Sequence, residues 1–159
     1  MNSIIGSIIA LISVYLGFIL NSKNEEKRHK REELKLKREK LEQLYFYYLK
    51  WEDNFSSIYL QHAFFYNGSI SHKELVERSK EYDKDVPDMY KKFQITMNLY
   101  FPELQTEYNK VDKGRANVVK FFDKKETYTL NEFISAQESF EKISKDFIQA
   151  IIKETKRII

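Results

Sequence analysis

Three histidines are the residues of this chain best suited to acid–base or metal chemistry. His29 follows Glu26 in a Glu-x-x-His spacing, which on a helix brings the two side chains to one face. A carboxylate-bridged di-metal centre uses that motif, but it needs two copies and two further glutamates projecting into a bundle core. A single copy inside a charged stretch predicts no metal. His62 falls on the apolar face of a helical pattern and reads as a core or boundary histidine. His72 follows Ser71 in the first turn of a capped helix and reads as solvated. No His-Glu-x-x-His pair, Gly-rich phosphate loop or Gly-x-Ser-x-Gly elbow occurs, and cysteine is absent, which removes thiolate nucleophiles, thiolate metal sites and disulfides. The expectation is a protein that is not an enzyme, with no catalytic residue, no metal, no cofactor and no small-molecule substrate.

Binding chemistry is better represented. Leu44-Tyr45-Phe46-Tyr47-Tyr48-Leu49-Lys50-Trp51 places aromatics nearly all the way round a helix. A core stripe absorbs Tyr48 and Trp51, whereas Phe46 and Tyr47 fall off it. Apolar aromatics outside a core mark a partner surface; a broad buried stripe would account for them equally well, and both readings stand at this point. Stacking of nucleic-acid bases on these rings needs a basic groove that Lys50 alone does not supply. A formal net charge of +3 is also small for such a role, so no nucleic-acid partner is expected.

The elements that position these residues are helical. Aromatics make up 15% of the chain, while 4 Gly and 2 Pro are too few for the turns of a β-rich fold. Leu41, Leu44, Tyr48, Trp51, Phe55, Ile58 and His62 recur at threes and fours, as one buried helical face requires. Asn67-Gly68-Ser69 signals a turn, and Ser71 with Glu74 fits a capping box. A second stripe runs through Leu75, Tyr82, Val86, Met89, Phe93 and Met97, with Pro87 inside it predicting a kink or short break. Leu104, Tyr108, Val111, Val118 and Phe122 form a third. Thr129 with Glu132 is a second capping box, opening a fourth stripe through Phe133, Gln137, Phe140, Phe147, Ile151 and Ile158. The fold class expected is all-α: a transmembrane helix, a charged stalk, then an antiparallel four-helix bundle over residues 41–159.

The first twenty residues differ from the rest. Ile4–Leu20 carries no charge and no proline, and its 17 residues span roughly 25 Å as a helix, short but adequate for a hydrocarbon core of about 30 Å. No base precedes the run and no small-residue cleavage site follows it, so residues 1–20 read as an uncleaved, single-pass signal anchor. Residues 21–40 are charged on every face and read as a helical stalk, with Glu26–Lys30 and Glu33–Lys37 in the favourable i,i+4 order. Lys23, Lys27, Arg28, Lys30 and Arg31 form a membrane-proximal basic strip, an alternative use of the same segment on anionic headgroups. Nine bases between Lys23 and Lys40, against none before the apolar run, put the N-terminus outside and the C-terminal domain in the cytoplasm.

Within the apolar run, Gly6, Ala10, Ser13 and Gly17 line one face at spacings of four, three and four, a surface for self-association in lipid. The same spacing continues through Asn24, Lys27, Arg31, Leu34, Arg38 and Leu41, so a coiled-coil seam could extend into the stalk, weakened by its charges.

Arg38-Glu39-Lys40-Leu41-Glu42-Gln43-Leu44-Tyr45, with Trp51 beyond it, and Leu99-Tyr100-Phe101-Pro102-Glu103-Leu104 together resemble a loose group of small bacterial and prophage proteins with an N-terminal membrane helix and a helical cytoplasmic domain. The resemblance implies a bacterial inner-membrane setting and a mobile-element or phage-defence context, and it carries no catalytic residues. The function expected is that of a membrane-tethered protein-interaction module. Its partners are the lipid bilayer, a protein, and a second copy as homodimer or small oligomer. Two other readings stay open. One is a membrane-perturbing effector acting through oligomerisation of its transmembrane helix. The other is a spanin-like phage lysis protein, whose ectodomain would be periplasmic, against the charge rule.

Overall fold

The computed structural model describes residues 2–82, 86–122 and 128–158, the side chains of 2–14 and 86 excepted. Every regular element among them is helical: α1 (Asn2–Tyr66), α2 (His72–Tyr82), α3 (Val86–Tyr100), α4 (Gln105–Val119) and α5 (Leu130–Ile158), with 3₁₀ turns at Pro102–Leu104 and Lys120–Phe122. The chain divides into two compact units, Met1–Lys37 and Arg38–Ile159.

In the first unit the described side chains from Tyr15 onward are exposed or nearly so. Arg28 lies 3.8 Å from Glu25 and 3.7 Å from Glu32, and Lys37 lies 3.5 Å from Glu33. Such exposed pairs add little stability each. Among the described residues no helix is long and apolar enough to cross a membrane. Of the apolar run Ile4–Leu20, the side chains through Val14 lie outside the described residues.

The second unit is a helical bundle. Its elements begin where local chemistry predicts. At α2 the Ser71 backbone N–H and hydroxyl both donate to Glu74 at 2.8 Å, and the Glu74 N–H donates back to the Ser71 hydroxyl at 3.3 Å. Thr129 and Glu132 repeat the arrangement at α5. These bonds hold both carboxyls below the ordinary carboxylate range, since each accepts from the backbone N–H and the hydroxyl of its cap residue. At the other end of α1, Gly68 takes φ +78°, and its N–H and that of Ser69 satisfy the carbonyls of Phe65 and Phe64. That left-handed position is the reason for a glycine there.

The pattern that spans Leu75 to Met97 divides into two helices. Pro87, expected to mark a kink or short break, stands in the first turn of α3, where its missing N–H costs nothing; residues 83–85, between the two helices, lie outside the described residues.

Four helices converge on one aromatic circuit. Tyr48 of α1 lies 4.8 Å from Phe147 of α5 and 5.4 Å from Phe93 of α3 between ring centres. Tyr108 of α4 closes the circuit, 4.9 Å from Phe93 and 5.5 Å from Phe147. Tilted and edge-on rings at these separations attract beyond their buried area. The contacts also fix direction. Along α1, Lys40, Tyr48 and Trp51 meet Tyr100, Phe93 and Tyr90 in descending order, so α3 is antiparallel to α1. The same reversal relates α4 to α5, through Tyr108–Phe147 and Phe121–Phe133. It also relates α5 to α1, since Tyr48 meets Ser144 and Tyr59 meets Glu141.

Two positions depart from the stripes read in the sequence. Tyr59, four residues after Phe55, is buried, while Ile58 stays half-buried. Phe121 is buried and Phe122 half-buried, because the 3₁₀ turn winds tighter than an α-helix and rotates Phe121 inward.

Candidate functional site

Phe46 and Tyr47 are separated by the fold. Phe46 is 51% exposed, although the helix on either side of it is anchored by the fully buried Leu44 and Tyr48. Tyr47 is half-buried and packs against the core, with its ring 5.9 Å from Phe46. The two rings, with Glu39, Glu42 and Gln43, line a depression of about 400 Å³. The core is complete without Phe46, and its ring offers apolar area to water.

Of the residues expected to form a self-association face, Gly6, Ala10 and Ser13 lie outside the described side chains, while Gly17 is exposed and a Cβ there would meet nothing within 4 Å. Lys23, Lys27, Arg28, Lys30 and Arg31 are exposed on helix.

The histidines go to three environments. His29 is exposed, with Nδ1 3.8 Å from Glu32, a partner the Glu-x-x-His reading did not name. His72 is exposed, near the Phe65 ring. His62 is buried and its ring lies flat on Phe122, 3.9 Å between centres and 10° between planes. Burial, aided by the nearby charge of His72, pushes its pKa down to about 4. It is therefore a neutral ring at neutral pH, packed as an aromatic would be. Among the described residues no group of three or more His, Asp or Glu could hold a metal ion.

A buried polar chain joins α1 to α5. The Ser144 hydroxyl donates to Glu52 at 3.1 Å, and with its one proton so used it accepts from the Tyr48 hydroxyl at 2.8 Å. Tyr48 and Ser144 have no exposed surface. Burial raises the Tyr48 phenol far above its ordinary range and also raises the Glu52 carboxyl, the latter further through Asp53 and Glu141. One helical turn away the Tyr59 hydroxyl donates to Glu141 at 3.1 Å, and burial pushes that phenol up to about 12. A serine beside a carboxylate invites a nucleophile reading. Ser144 has no histidine beside it and no surface a substrate could reach, so the chain of bonds holds helices together.

Sequence reasoning passed over Ser144. Its position was nonetheless legible, four residues after Phe140 and three before Phe147, on the buried stripe of α5.

Compared with known proteins, the chain matches no family model, no curated sequence and no solved structure.

Proposed function

We propose that this chain is a membrane-tethered protein-interaction module on the cytoplasmic face of a bacterial inner membrane. The apolar run Ile4–Leu20 would supply the anchor, and the bases from Lys23 to Lys40 its orientation. The bundle would present Phe46 to a protein partner. The resemblance of two short stretches to small bacterial and prophage proteins favours a phage-defence setting.

The observation that carries the reading is Phe46. A phenyl ring half open to water beside a finished core is the kind of anchor around which binding energy concentrates. A photo-crosslinking residue at position 46 of the full-length chain, expressed in cells, should yield a discrete protein adduct. The same residue at Lys113, an exposed position on α4, should not. Equal adducts at both positions, or none at 46, would remove the interaction surface. The anchor is tested separately by fusing alkaline phosphatase or a fluorescent protein to the C-terminus: fluorescence without phosphatase activity is expected. The opposite pattern would place the bundle outside and make the lysis-protein reading the better one.

A further inference from the structure

Between the start of the bundle portion of α1 and the end of α5 lies an apolar cleft of about 260 Å³. Leu41, Tyr45, Ile151, Ile152 and Ile158 line it. Elsewhere these helices meet through interlocking rings, and interiors of this kind leave few voids larger than a water molecule. An apolar cavity of about 150 Å³ is known to stay dry and to accept benzene. This one is larger and opens to solvent.

We infer that the cleft takes the hydrocarbon tail of a medium-chain fatty acid, with the carboxylate held by Arg38. Three observations select that ligand. First, Leu41, Ile151, Ile152 and Ile158 give the lining an aliphatic side, with Arg38, Glu42, Tyr45 and Thr155 as its other residues, so it suits an alkyl tail with a polar head. Second, the lining residues run from 38 to 45 on α1 and from 151 to 158 on α5, each stretch roughly 10 Å long at 1.5 Å per residue, which suits one extended chain.

Third, the lining holds one cation with donors to spare. Arg38 and Glu42 are the charged residues of the lining, and Arg38 gives only its Nε to Glu42, at 3.3 Å. Both side chains are more than 60% exposed, so that pair is weak and a ligand can compete with it. The guanidinium keeps its terminal donors, in the fork that matches a carboxylate. All of the lining residues belong to the second unit, so the inference does not depend on the membrane anchor.

The test uses tagged full-length chain in detergent-free cell extract, photolabelled with a diazirine derivative of decanoic acid and digested with trypsin after capture. Label should concentrate on the peptides covering residues 41–50 and 146–153. Decanoate should compete for it about two- to fivefold better than decanol, the modest preference that an exposed ion pair supplies. Ile152→Trp, which fills the cleft from a partly exposed position, should abolish the labelling. Arg38→Gln should make decanoate and decanol compete equally. If circular dichroism shows that Ile152→Trp does not fold, Arg38→Gln, an exposed change, still decides. Label spread evenly over the chain, or decanol competing as well as decanoate against wild type, would overturn the assignment.

Discussion

Ser144→Ala should destabilise the bundle more than Tyr48→Phe, although both remove one oxygen. The two ends of the polar chain differ in what they leave behind. Without the Ser144 hydroxyl, the Tyr48 hydroxyl loses the acceptor 2.8 Å away and stays where no water reaches it. A stranded buried donor costs about 1–3 kcal/mol. Glu52 also loses a donor, but it is only half-buried and can turn to water. In Tyr48→Phe the donor itself is gone, and Ser144 keeps its bond to Glu52. That loss is the net value of one neutral hydrogen bond, about 0.5–1.5 kcal/mol. The double variant strands no buried donor, so its cost should fall below the sum of the two singles by about 1 kcal/mol. Urea unfolding of the full-length chain in mild detergent, followed through Trp51, would measure all three. Trp51 is the single tryptophan and its ring lies 5.6 Å from Tyr48, so it reports on this region directly. Equal slopes with shifted midpoints are expected. If Ser144→Ala proves no costlier than Tyr48→Phe, or the two add, the bonds do not form a coupled chain.

Three further outcomes follow from the same geometry, and a fourth from the sequence of the apolar run. His62 has a folded-state pKa of about 4 against 6.5 unfolded, so the unfolded chain takes up the proton first as pH falls. Stability should therefore drop between about pH 6.5 and 4, and His62→Phe, which keeps the stack on Phe122, should flatten that window in pH-dependent urea titrations. Glu52 acts in the opposite sense: its raised carboxyl gives stability below its unfolded pKa that is lost as pH rises through the folded one, so Glu52→Gln should remove that loss. At Gly114 an added Cβ would meet the flexible tip of Ile143 at 3.2 Å and the Phe140 backbone only at 3.8 Å. Gly114→Ala should thus stay within about 1 kcal/mol of wild type, helix propensity offsetting the crowding. Gly114→Val should cost about 1–3 kcal/mol by urea midpoint, and equal tolerance of both would deny the close approach of α4 to α5. Cross-linking in native membranes should weaken for Gly6→Ile with Gly17→Ile but not for Ile5→Leu with Ile12→Leu; unchanged cross-linking of the first pair would place the association elsewhere.

What could be read from the sequence tracks how local its cause is. The capping boxes at Ser71 and Thr129 involve residues three apart, so their chemistry is visible without a fold. The helical stripes follow from period alone, and most of their residues are buried. Tyr59 and Phe121 escaped because a step of four, or a 3₁₀ turn, decides which of two adjacent apolar residues faces inward. Phe46 could be read only as an alternative, since its exposure depends on which neighbours complete the core around Tyr48. The polar chain was out of reach for another reason: Tyr48 and Glu52 lie 96 and 92 residues from Ser144.

Those distant bonds also explain why one packing of α1 on α5 prevails. A core of Phe and Tyr rings is tolerant of sliding, because one aromatic fills the place of another with little loss. The hydroxyls are not tolerant. A one-turn slide of α5 moves Ser144 about 5.4 Å, which breaks both of its bonds and leaves Tyr48 unpaired in a dry interior. The register that the polar chain selects is the one in which the apolar residues Leu41 and Tyr45 of α1 face Ile151, Ile152 and Ile158 of α5 without filling the space between them. The cleft is then a consequence of the bonds two turns away. Variants that break the Tyr48–Ser144 link should alter fatty-acid labelling at the cleft, whereas Gly114→Val, which crowds the α4–α5 contact instead, should lower stability and leave the labelling pattern in place.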